Sequence, residues 1–156
     1  MFFCYFDSPV GKILLSGRND LENLHFPSSK TRKEPYQTWV YDENKFKDVL
    51  FQLDHYFKGN LKKFDLKLTM HGTDFQKNVW QQLQNIPYGE TISYSELAVR
   101  IGNPKASRAV GMANGKNPIS IIVPCHRVIG KNGSLTGFGG GIDTKRQLLE
   151  LETKNK

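Results

Sequence analysis

Near the N-terminus, short apolar segments alternate with turn-forming residues, a pattern that is typical of β-strands joined by tight turns. The predicted strands are Met1–Phe6, Gly11–Ser16 and Leu21–Phe26. Pro9 lies in the first connection and Asn19 in the second, and both residue types favour turns. Because strands joined by short turns usually pair with their sequence neighbours, the pattern predicts a small antiparallel sheet.

A helical period follows the predicted sheet. Over Glu43–Lys58, apolar residues recur three or four positions apart, which places them on one face of a helix that a glycine then ends. Ser28–Tyr36 is polar and predicts a loop, whereas Asn60–Thr69 is extended and mixed in character. We expect a lobe boundary just after this segment, dividing the chain into residues 1–70 and 71–156.

Amphipathic helices with clear start and stop signals dominate the second half of the chain. The first predicted helix is Asp74–Ile86, which ends before a proline. Ser93 and Glu96 have the spacing of a capping box, in which each side chain satisfies a backbone N–H group, and they open a second helix over Tyr94–Ile101. Gly102 supplies the left-handed residue that ends this helix.

A third helix is predicted immediately afterwards. Asn103 is a favoured N-cap residue, and Pro104 suits the first helical position because no backbone hydrogen bond is lost there. The helix is predicted over Lys105–Asn114 and ends at Gly115. Two short helices with a two-residue turn between them predict a helix-turn-helix.

The remaining segment has a short apolar run, two glycine-rich loops and a final helix. Ile119–Val123 predicts a buried strand that runs directly into Pro124 and Cys125. The second loop lacks the strand and helix context of a dinucleotide-binding motif. The predicted loops are Gly130–Gly133 and Gly137–Gly141, and the final helix begins at Asp143 or Thr144 and runs through Glu152.

The composition is that of an ordinary folded protein with an uneven positive charge. Apolar residues make up 38% of the 156 positions, and the net charge is +7. From residue 71 onward there are 11 Lys/Arg and 6 Asp/Glu, so the second half is the better candidate for contacts with phosphates. The sequence has no long apolar run and no signal-like leader, so we expect a soluble, cytoplasmic protein without a membrane span.

The two cysteines cannot build a disulfide framework, and neither lies in the close Cys/His spacing of a zinc site. Cys4 lies in the apolar run FFCYF and is expected to be a buried core thiol. Cys125 precedes His126 and Arg127, which are basic groups able to assist a thiolate nucleophile. Adjacency alone leaves two interpretations open: an activated nucleophile, or a strand-end cysteine beside a surface histidine. We predict no metal or organic cofactor, because no ligand cluster or cofactor motif occurs.

The third predicted helix has Arg108 among small residues on one side, namely Ala106, Ala109 and Ala113. Small residues let a helix approach another surface closely, and an arginine on such a face is able to enter a groove or a base stack. A solvated arginine on an amphipathic helix is the open alternative. Tyr94 leaves a similar choice between a core aromatic residue and a proton donor.

Taken together, the motifs of the second half resemble a single family. The strings are FQKNVWQQLQNIPYGETISYSELA, IGNPKASRAVGMANGKNPISIIV, PCHRV, GFGGG and KRQLLELE. In this order and spacing they cover Asp74–Glu152 and resemble the 6-O-alkylguanine-DNA alkyltransferases, or methylated-DNA–protein-cysteine methyltransferases. The resemblance implies an α+β protein. A small N-terminal mixed α/β lobe with an antiparallel sheet would precede a mostly helical, winged-helix-like domain that contains the helix-turn-helix, binds DNA and performs catalysis.

The resemblance also implies an activity. The protein would bind double-stranded DNA from the minor groove as a monomer and flip out 6-O-alkylated guanine, mainly 6-O-methylguanine, and also 4-O-methylthymine. It would then transfer the alkyl group once and irreversibly to Cys125. By the same resemblance, His126 activates the thiol through a water molecule and Glu152 holds that histidine. Tyr94 matches the residue that helps to protonate the departing guanine.

The residues that contact the DNA and the base are implied in the same way. Arg108 matches the arginine finger that takes the place of the extruded base. Phe138 and Gly139 stand where some members of the family have a tyrosine and a serine. A backbone N–H group would therefore replace the serine hydroxyl as a hydrogen-bond donor. The resemblance does not determine which alkyl groups are accepted. The implied DNA contacts are Lys105, Ala106, Ser107, Arg108 and Lys116, and the implied base pocket and its supports are Asn117, Val123, Phe138 and Gly139.

Three other classes of protein are the alternatives. A lesion-flagging protein flips the base without repairing it and lacks the acceptor cysteine, whereas this chain has Cys125. A helix-turn-helix transcription regulator would use the first lobe as a sensor, but it leaves the PCHRV string unexplained. A thiol hydrolase using Cys125 and His126 predicts repeated turnover, whereas transfer to the protein itself stops after one event.

Overall fold

In the computed structural model, which describes residues 1–29, 32, 34–135 and 137–156, the N-terminal lobe contains a four-stranded sheet. Its strands are β1 (Phe2–Ser8), β2 (Gly11–Gly17), β3 (Leu21–His25) and β4 (Val40–Tyr41). The strand order is β3-β2-β1-β4. The predicted antiparallel pairing of β1, β2 and β3 is confirmed. The sequence analysis missed β4, which pairs in parallel with β1 over only two residues.

The helix predicted for the first half is confirmed in two parts. A 3-10 turn over Glu43–Phe46 is capped by Asp42, whose carboxylate accepts a hydrogen bond from the Asn44 N–H group at 3.0 Å. It continues into α1 (Lys47–Phe57), which buries Val49, Leu53 and Tyr56. Of the apolar positions that define the predicted helical period, Phe46, Val49 and Leu53 are buried, whereas Leu50 and Phe57 are only partly buried.

The second half begins with two capped helices. In α2 (Asp74–Leu83), Thr73 and Gln76 form a capping box, and the helix ends three residues before the predicted boundary at Ile86. In α3 (Tyr94–Arg100), the Ser93 hydroxyl accepts from the Glu96 N–H group, but the Glu96 carboxylate pairs with Arg100 at 3.1 Å. Only half of the predicted capping box therefore forms, because an i,i+4 ion pair holds the glutamate. Gly102 is left-handed as expected, with φ 83°.

The predicted start of the next helix is wrong. The helix α4 spans Ser107–Gly115, so it begins two residues after Lys105 and includes Gly115. Asn103 does not cap it; the Asn103 carbonyl accepts from the Ala106 N–H group at 3.0 Å, which closes a turn. Pro104 suits the second position of a turn as well as it suits the first position of a helix, so the sequence signal was ambiguous. The connection from α3 to α4 has six residues rather than two.

The strand predicted over Ile119–Val123 is also wrong. Ile119 makes an isolated bridge to Leu24, and the chain then turns, with the Val123 N–H group donating to the Ile119 carbonyl at 3.0 Å. Ile121 has φ 73°, a left-handed conformation that is unusual for a β-branched residue. These residues are apolar because they are buried in the core and not because they pair in a sheet.

A small parallel sheet and a final helix complete the fold. The sheet pairs β5 (Ile92–Ser93) with β6 (Val128–Ile129), and the sequence analysis predicted neither strand. The helix α5 (Ile142–Lys154) starts one residue before the first predicted position and follows Gly141, which has φ 97°. Buried side chains of both lobes join in one hydrophobic cluster, and the division at residue 70 stays a prediction. Within the described residues, no helix has both the length and the apolar character needed to cross a membrane.

Candidate active site

Cys125 opens a 3-10 turn, Cys125–Arg127, and its side chain is buried with 3% exposure. Its N–H group donates to the Val123 carbonyl at 2.8 Å, and the same carbonyl accepts from Asn117 Nδ2 at 2.7 Å. Asn117 Oδ1 also accepts from the Ile119 N–H group at 3.0 Å. Asn117 therefore braces the turn that precedes the cysteine, and the predicted position of Cys125 at a strand end is wrong.

The environment of the Cys125 thiol favours its neutral form. Its sulfur lies 4.0 Å from the Ser120 hydroxyl, to which the thiol donates. Burial raises the pKa of Cys125, and the contacts with Asn117 and Ser120 and the charge of Lys145 offset only part of that increase. The site therefore disfavours the thiolate, so a nucleophilic role for this sulfur would require removal of the thiol proton.

His126 is fully buried and contacts the last helix. Its Nε2 lies 2.6 Å from Glu152 Oε2, whereas Nδ1 is buried with no hydrogen-bond partner among the described residues. Burial lowers the pKa of His126, although the hydrogen bond to Glu152 acts in the opposite direction. A neutral imidazole that donates from Nε2 to a carboxylate has a lone pair on Nδ1, so this ring is arranged to accept a proton there.

Glu152 is 1% exposed, and its carboxylate contacts four other residues. Arg127 donates to the carboxylate from Nε at 2.8 Å and from Nη2 at 3.1 Å. The Tyr56 hydroxyl donates to it at 2.7 Å and the Gly89 N–H group at 3.2 Å, and the fourth contact is the one with His126. Burial opposes ionisation of this carboxyl, but the hydrogen bonds from His126 and Arg127 and the charge of Arg127 outweigh burial and hold the pKa of Glu152 well below its ordinary value. The carboxylate is therefore a fixed negative charge behind the imidazole.

The sequence analysis missed the contacts of Tyr56, Arg127 and Gly89 in this network. Tyr56 lies on α1, 96 residues from Glu152, and it was not among the apolar positions of the predicted helical face. Arg127 was considered as a basic group near the thiol, whereas its guanidinium contacts Glu152 and the Ile86 carbonyl at 2.7 Å. No local pattern encodes contacts between residues so far apart in sequence.

A glycine loop (residues 137–141) approaches Tyr94, a residue that the sequence analysis placed at the site. Tyr94 is half-buried at the start of α3, and a Cβ placed on Gly137 would lie 3.8 Å from its hydroxyl. Phe138 is buried, whereas a Cβ on Gly139 would meet, among the described residues, only the Gly115 carbonyl oxygen at 3.5 Å. Lys145 follows the loop on α5, with its Nζ 5.9 Å from the Tyr94 ring centre and 2.6 Å from the Val128 carbonyl. Burial lowers the pKa of Lys145 to about 8.

The helix α4 faces the core on one side and solvent on the other. It buries Val110, Ala113 and Asn114, and Asn114 Nδ2 donates to the Cys125 carbonyl at 3.3 Å. Arg108 is exposed on the opposite side. The other implied DNA contacts lie at the ends of this helix: Lys105 and Lys116 are exposed, and Ala106 and Ser107 are half-buried.

The expectation of one small-residue face around Arg108 is wrong. Ala113 is buried, and its carbonyl accepts from Trp80 Nε1 at 2.9 Å, whereas Ala109 is exposed. The helix is amphipathic, so the small residues divide between the core and the surface. Cys4 agrees with its prediction, since it is fully buried in β1 and burial raises its pKa to about 12.

Comparisons with known proteins match nearly the whole chain. Residues 74–154 match the family model of the DNA-binding domain of 6-O-methylguanine DNA methyltransferase, and residues 1–70 match the model of its ribonuclease-like domain. A methylated-DNA–protein-cysteine methyltransferase from Methanosarcina acetivorans is 54% identical, over 97% of this chain and 98% of the relative. The protein of the same name from Mycobacterium bovis is 55% identical, over 94% of this chain and 88% of the relative.

Solved structures agree with these matches. The crystal structure of Mycobacterium tuberculosis OGT in complex with DNA aligns with a TM-score of 0.93 at 51% identity, covering 99% of this chain and 94% of that one. The crystal structure of Mycobacterium tuberculosis O6-methylguanine methyltransferase aligns with a TM-score of 0.91 at 52% identity, with the same coverage. The resemblance and the α+β fold class predicted from the sequence are thereby confirmed.

Proposed function

The chain belongs to the 6-O-methylguanine DNA methyltransferase family, and from this membership we propose that it repairs DNA by moving the alkyl group of 6-O-alkylated guanine onto its own Cys125. Family membership supports the coarser activity, which is repair of alkylguanine in DNA by transfer to a cysteine. The choice of Cys125 rests on one observation: this thiol adjoins an imidazole that is held by a buried carboxylate at 2.6 Å. Cys4 instead lies inside the N-terminal sheet, where burial and the charges of Glu43 and Asp42 raise its pKa.

The proposed transfer is a single displacement. The Cys125 sulfur attacks the alkyl carbon, a sulfur–carbon bond forms, and the bond from that carbon to guanine O6 breaks with its electron pair on the oxygen. Tyr94 supplies hydrogen-bond donation to the departing base, whose negative charge is the difficult feature of the transition state. The product is a thioether, which water does not readily cleave, so each molecule repairs one lesion.

The thiol proton is proposed to leave through His126. A neutral thiol is a weak nucleophile, and His126 Nδ1 is available as an acceptor while Glu152 orients the ring and stabilises the imidazolium. By the resemblance to the family, a water molecule connects the sulfur to this nitrogen. Arg127 keeps Glu152 ionised, and it thereby keeps the imidazole in the tautomer that accepts at Nδ1.

Duplex DNA is proposed as the substrate, bound through its minor groove by one molecule of the protein. An alkylated base within the stack does not expose its reactive carbon, so it must be extruded at a cost of a few kcal/mol. Arg108 is exposed on α4 and would fill the gap, while Lys105 and Lys116 would meet phosphates at the two ends of this helix. The main lesion would be 6-O-methylguanine, and 4-O-methylthymine would be a second substrate.

Peptide mapping after incubation with a duplex oligonucleotide containing 6-O-methylguanine tests the proposal. We expect the methyl group on Cys125 and none on Cys4. The variant Cys125→Ala should lose transfer entirely, and Cys4→Ala is the matched control that should keep it. Methylation of Cys4, or full transfer by Cys125→Ala, would contradict the assignment.

A further inference from the structure

A serine of the N-terminal lobe holds the glycine loop (residues 137–141). The Ser28 hydroxyl donates to the Gly140 carbonyl at 2.6 Å, across 112 residues of sequence. Ser28 follows β3 and is itself exposed, so the bond is not a by-product of core burial. The contact ties a loop of the second lobe to a side chain of the first.

An aromatic contact reinforces this bond. Phe26 is buried with 1% exposure, and its ring centre lies 5.7 Å from that of Phe138. A Cβ placed on Gly140 would overlap the Phe26 ring and lie 2.8 Å from the Phe138 ring. The backbone of the loop therefore packs directly on Phe26, at a distance that only glycine allows.

The loop held in this way leads directly to groups around Cys125. Gly137 approaches the Tyr94 hydroxyl, as described above. At its other end, Gly141 precedes α5, and its carbonyl accepts from the Lys145 N–H group at 3.1 Å. The Lys145 charge acts on the Cys125 thiol. A displacement of the loop would therefore move both a wall of the site and the start of α5.

The same end of the N-terminal sheet also contacts the segment that precedes the cysteine. The Leu24 N–H group donates to the Pro118 carbonyl at 2.8 Å, next to Asn117, which braces that segment. Leu24 lies in β3, and Phe26 and Ser28 follow within three residues of its end, where the Ser29 N–H group donates to the Phe26 carbonyl at 3.1 Å and closes a turn. Two walls of the site are thus attached to one strand of the first lobe and the residues directly after it.

We propose that Phe26 and Ser28 are positioning residues that fix the glycine loop and thereby set the size of the alkyl group that Cys125 accepts. The inference rests on the proposed function, because it takes the loop as a wall of the alkyl pocket. It assigns the N-terminal lobe a role in substrate choice, exerted through the loop backbone. Loss of either contact loosens this wall, which impairs the alignment of a methyl group more than that of a bulky benzyl group.

Two measurements on Ser28→Ala test this role: hydrogen exchange of residues 137–145, and the rates of transfer from free 6-O-methylguanine and 6-O-benzylguanine. The loss of one hydrogen bond changes an equilibrium constant by about fivefold. We therefore expect about fivefold faster exchange of the loop and about a fivefold higher ratio of the benzyl rate to the methyl rate. Ser8→Ala is the matched control, since the Ser8 hydroxyl makes a bond of the same length, 2.6 Å, to the Gly11 carbonyl within the sheet. Ser28→Thr keeps the hydroxyl and should restore both wild-type values.

The control separates loop positioning from a general loss of stability. If Ser28→Ala and Ser8→Ala give the same exchange and the same rate ratio, the inference is overturned. Faster loop exchange with an unchanged rate ratio would overturn the role in substrate choice. Absence of any transfer in the wild-type protein would contradict the proposed function, while the exchange result would still report on the Ser28 contact.

Discussion

At the scale of single residues, the proposed nucleophile and the proposed base share one feature: the environment of each favours its neutral form. Burial raises the pKa of Cys125 and lowers that of His126. A preformed thiolate–imidazolium pair is therefore disfavoured, in contrast to cysteines that are activated by exposure to a cationic environment. In the proposed mechanism, the negative charge of Glu152 instead favours proton transfer to the imidazole at the moment when the sulfur attacks.

This arrangement predicts a flat pH dependence of transfer. The active form has a neutral thiol and a neutral imidazole, and both pKa shifts widen the pH range of this form. We expect a constant rate from about pH 7 to 8.5 and a loss on the acid side below the ordinary histidine pKa of about 6.5, as the imidazole becomes protonated. Single-turnover rates on the free base check this profile. A rate that rises about tenfold per pH unit across this range would indicate a free thiolate and exclude the His126 relay.

Glu152 and Tyr56 offer a paired test of the relay. Glu152→Gln should slow transfer and lose about 3 to 5 kcal/mol of unfolding free energy, because Arg127 stays buried without a counter-charge. Tyr56→Phe removes one hydrogen bond to the same carboxylate but leaves its charge, so it should keep the transfer rate and lose about 1 to 3 kcal/mol. Denaturant unfolding and transfer rates check both. A Glu152→Gln protein with the wild-type rate and thiol titration would contradict the relay.

At the scale of secondary structure elements, α4 connects the proposed DNA surface to the reactive turn. Its buried side holds the Cys125 carbonyl through Asn114, and its exposed side presents Arg108. The helix has nine residues and no side-chain N-cap, so its position depends on packing against α2 and α3. In the proposed complex, this packing would fix the position from which Arg108 enters the base stack.

The roles of Arg108 and Lys105 differ in what their loss should change. Lys105→Ala should weaken DNA binding on every sequence and lower the salt slope by about one unit, because one phosphate contact releases about one counterion. Arg108→Ala should slow repair of duplex DNA much more than transfer from the free base, where nothing is extruded. Rates on both substrates and a fluorescent base reporter of flipping provide the comparison. If the two variants lose the same repair rate on duplex DNA and Arg108→Ala shows no added flipping defect, Arg108 is only another phosphate contact.

The glycine loop contains two neighbouring glycines with opposite tolerance to a side chain. Gly140→Ala should destabilise the protein by roughly 1 to 3 kcal/mol and slow transfer, since its Cβ would overlap buried aromatic rings. Gly139→Ser is the control, because a Cβ there meets only the Gly115 carbonyl oxygen, at 3.5 Å, among the described residues. Thermal unfolding and transfer rates distinguish the two. Similar stability for both variants would contradict the described packing of the loop on Phe26.

At the scale of the whole molecule, the sequence patterns correctly predicted features that depend on residues close together in the chain. Turn residues identified the β1–β3 sheet, and Ser93 and Gly102 marked both ends of α3. The apolar run that ends at Val123 was predicted as a strand, because periodicity cannot distinguish a buried turn from a buried strand. Tertiary burial decides between them, and Ile121 adopts a left-handed conformation there.

The residues of the candidate site were likewise only partly predictable from the sequence. The adjacency of Cys125 and His126 was visible in the sequence, and Glu152 followed from the resemblance to the family. The contacts of Tyr56 and Ser28 join residues about a hundred positions apart, 96 and 112, and only the packing of the two lobes brings them together. Such contacts depend on the complete fold, so no segment of the sequence contains them.

The stoichiometry of repair tests the central claim most directly. The wild-type protein is incubated with an excess of duplex containing 6-O-methylguanine, and the lesions lost per protein molecule are counted alongside the intact mass of the protein. A suicide transfer to Cys125 predicts that repair stops at one lesion per molecule, with every molecule carrying one methyl group. Continued repair beyond one lesion per molecule, or a protein of unchanged mass after repair, would contradict the account.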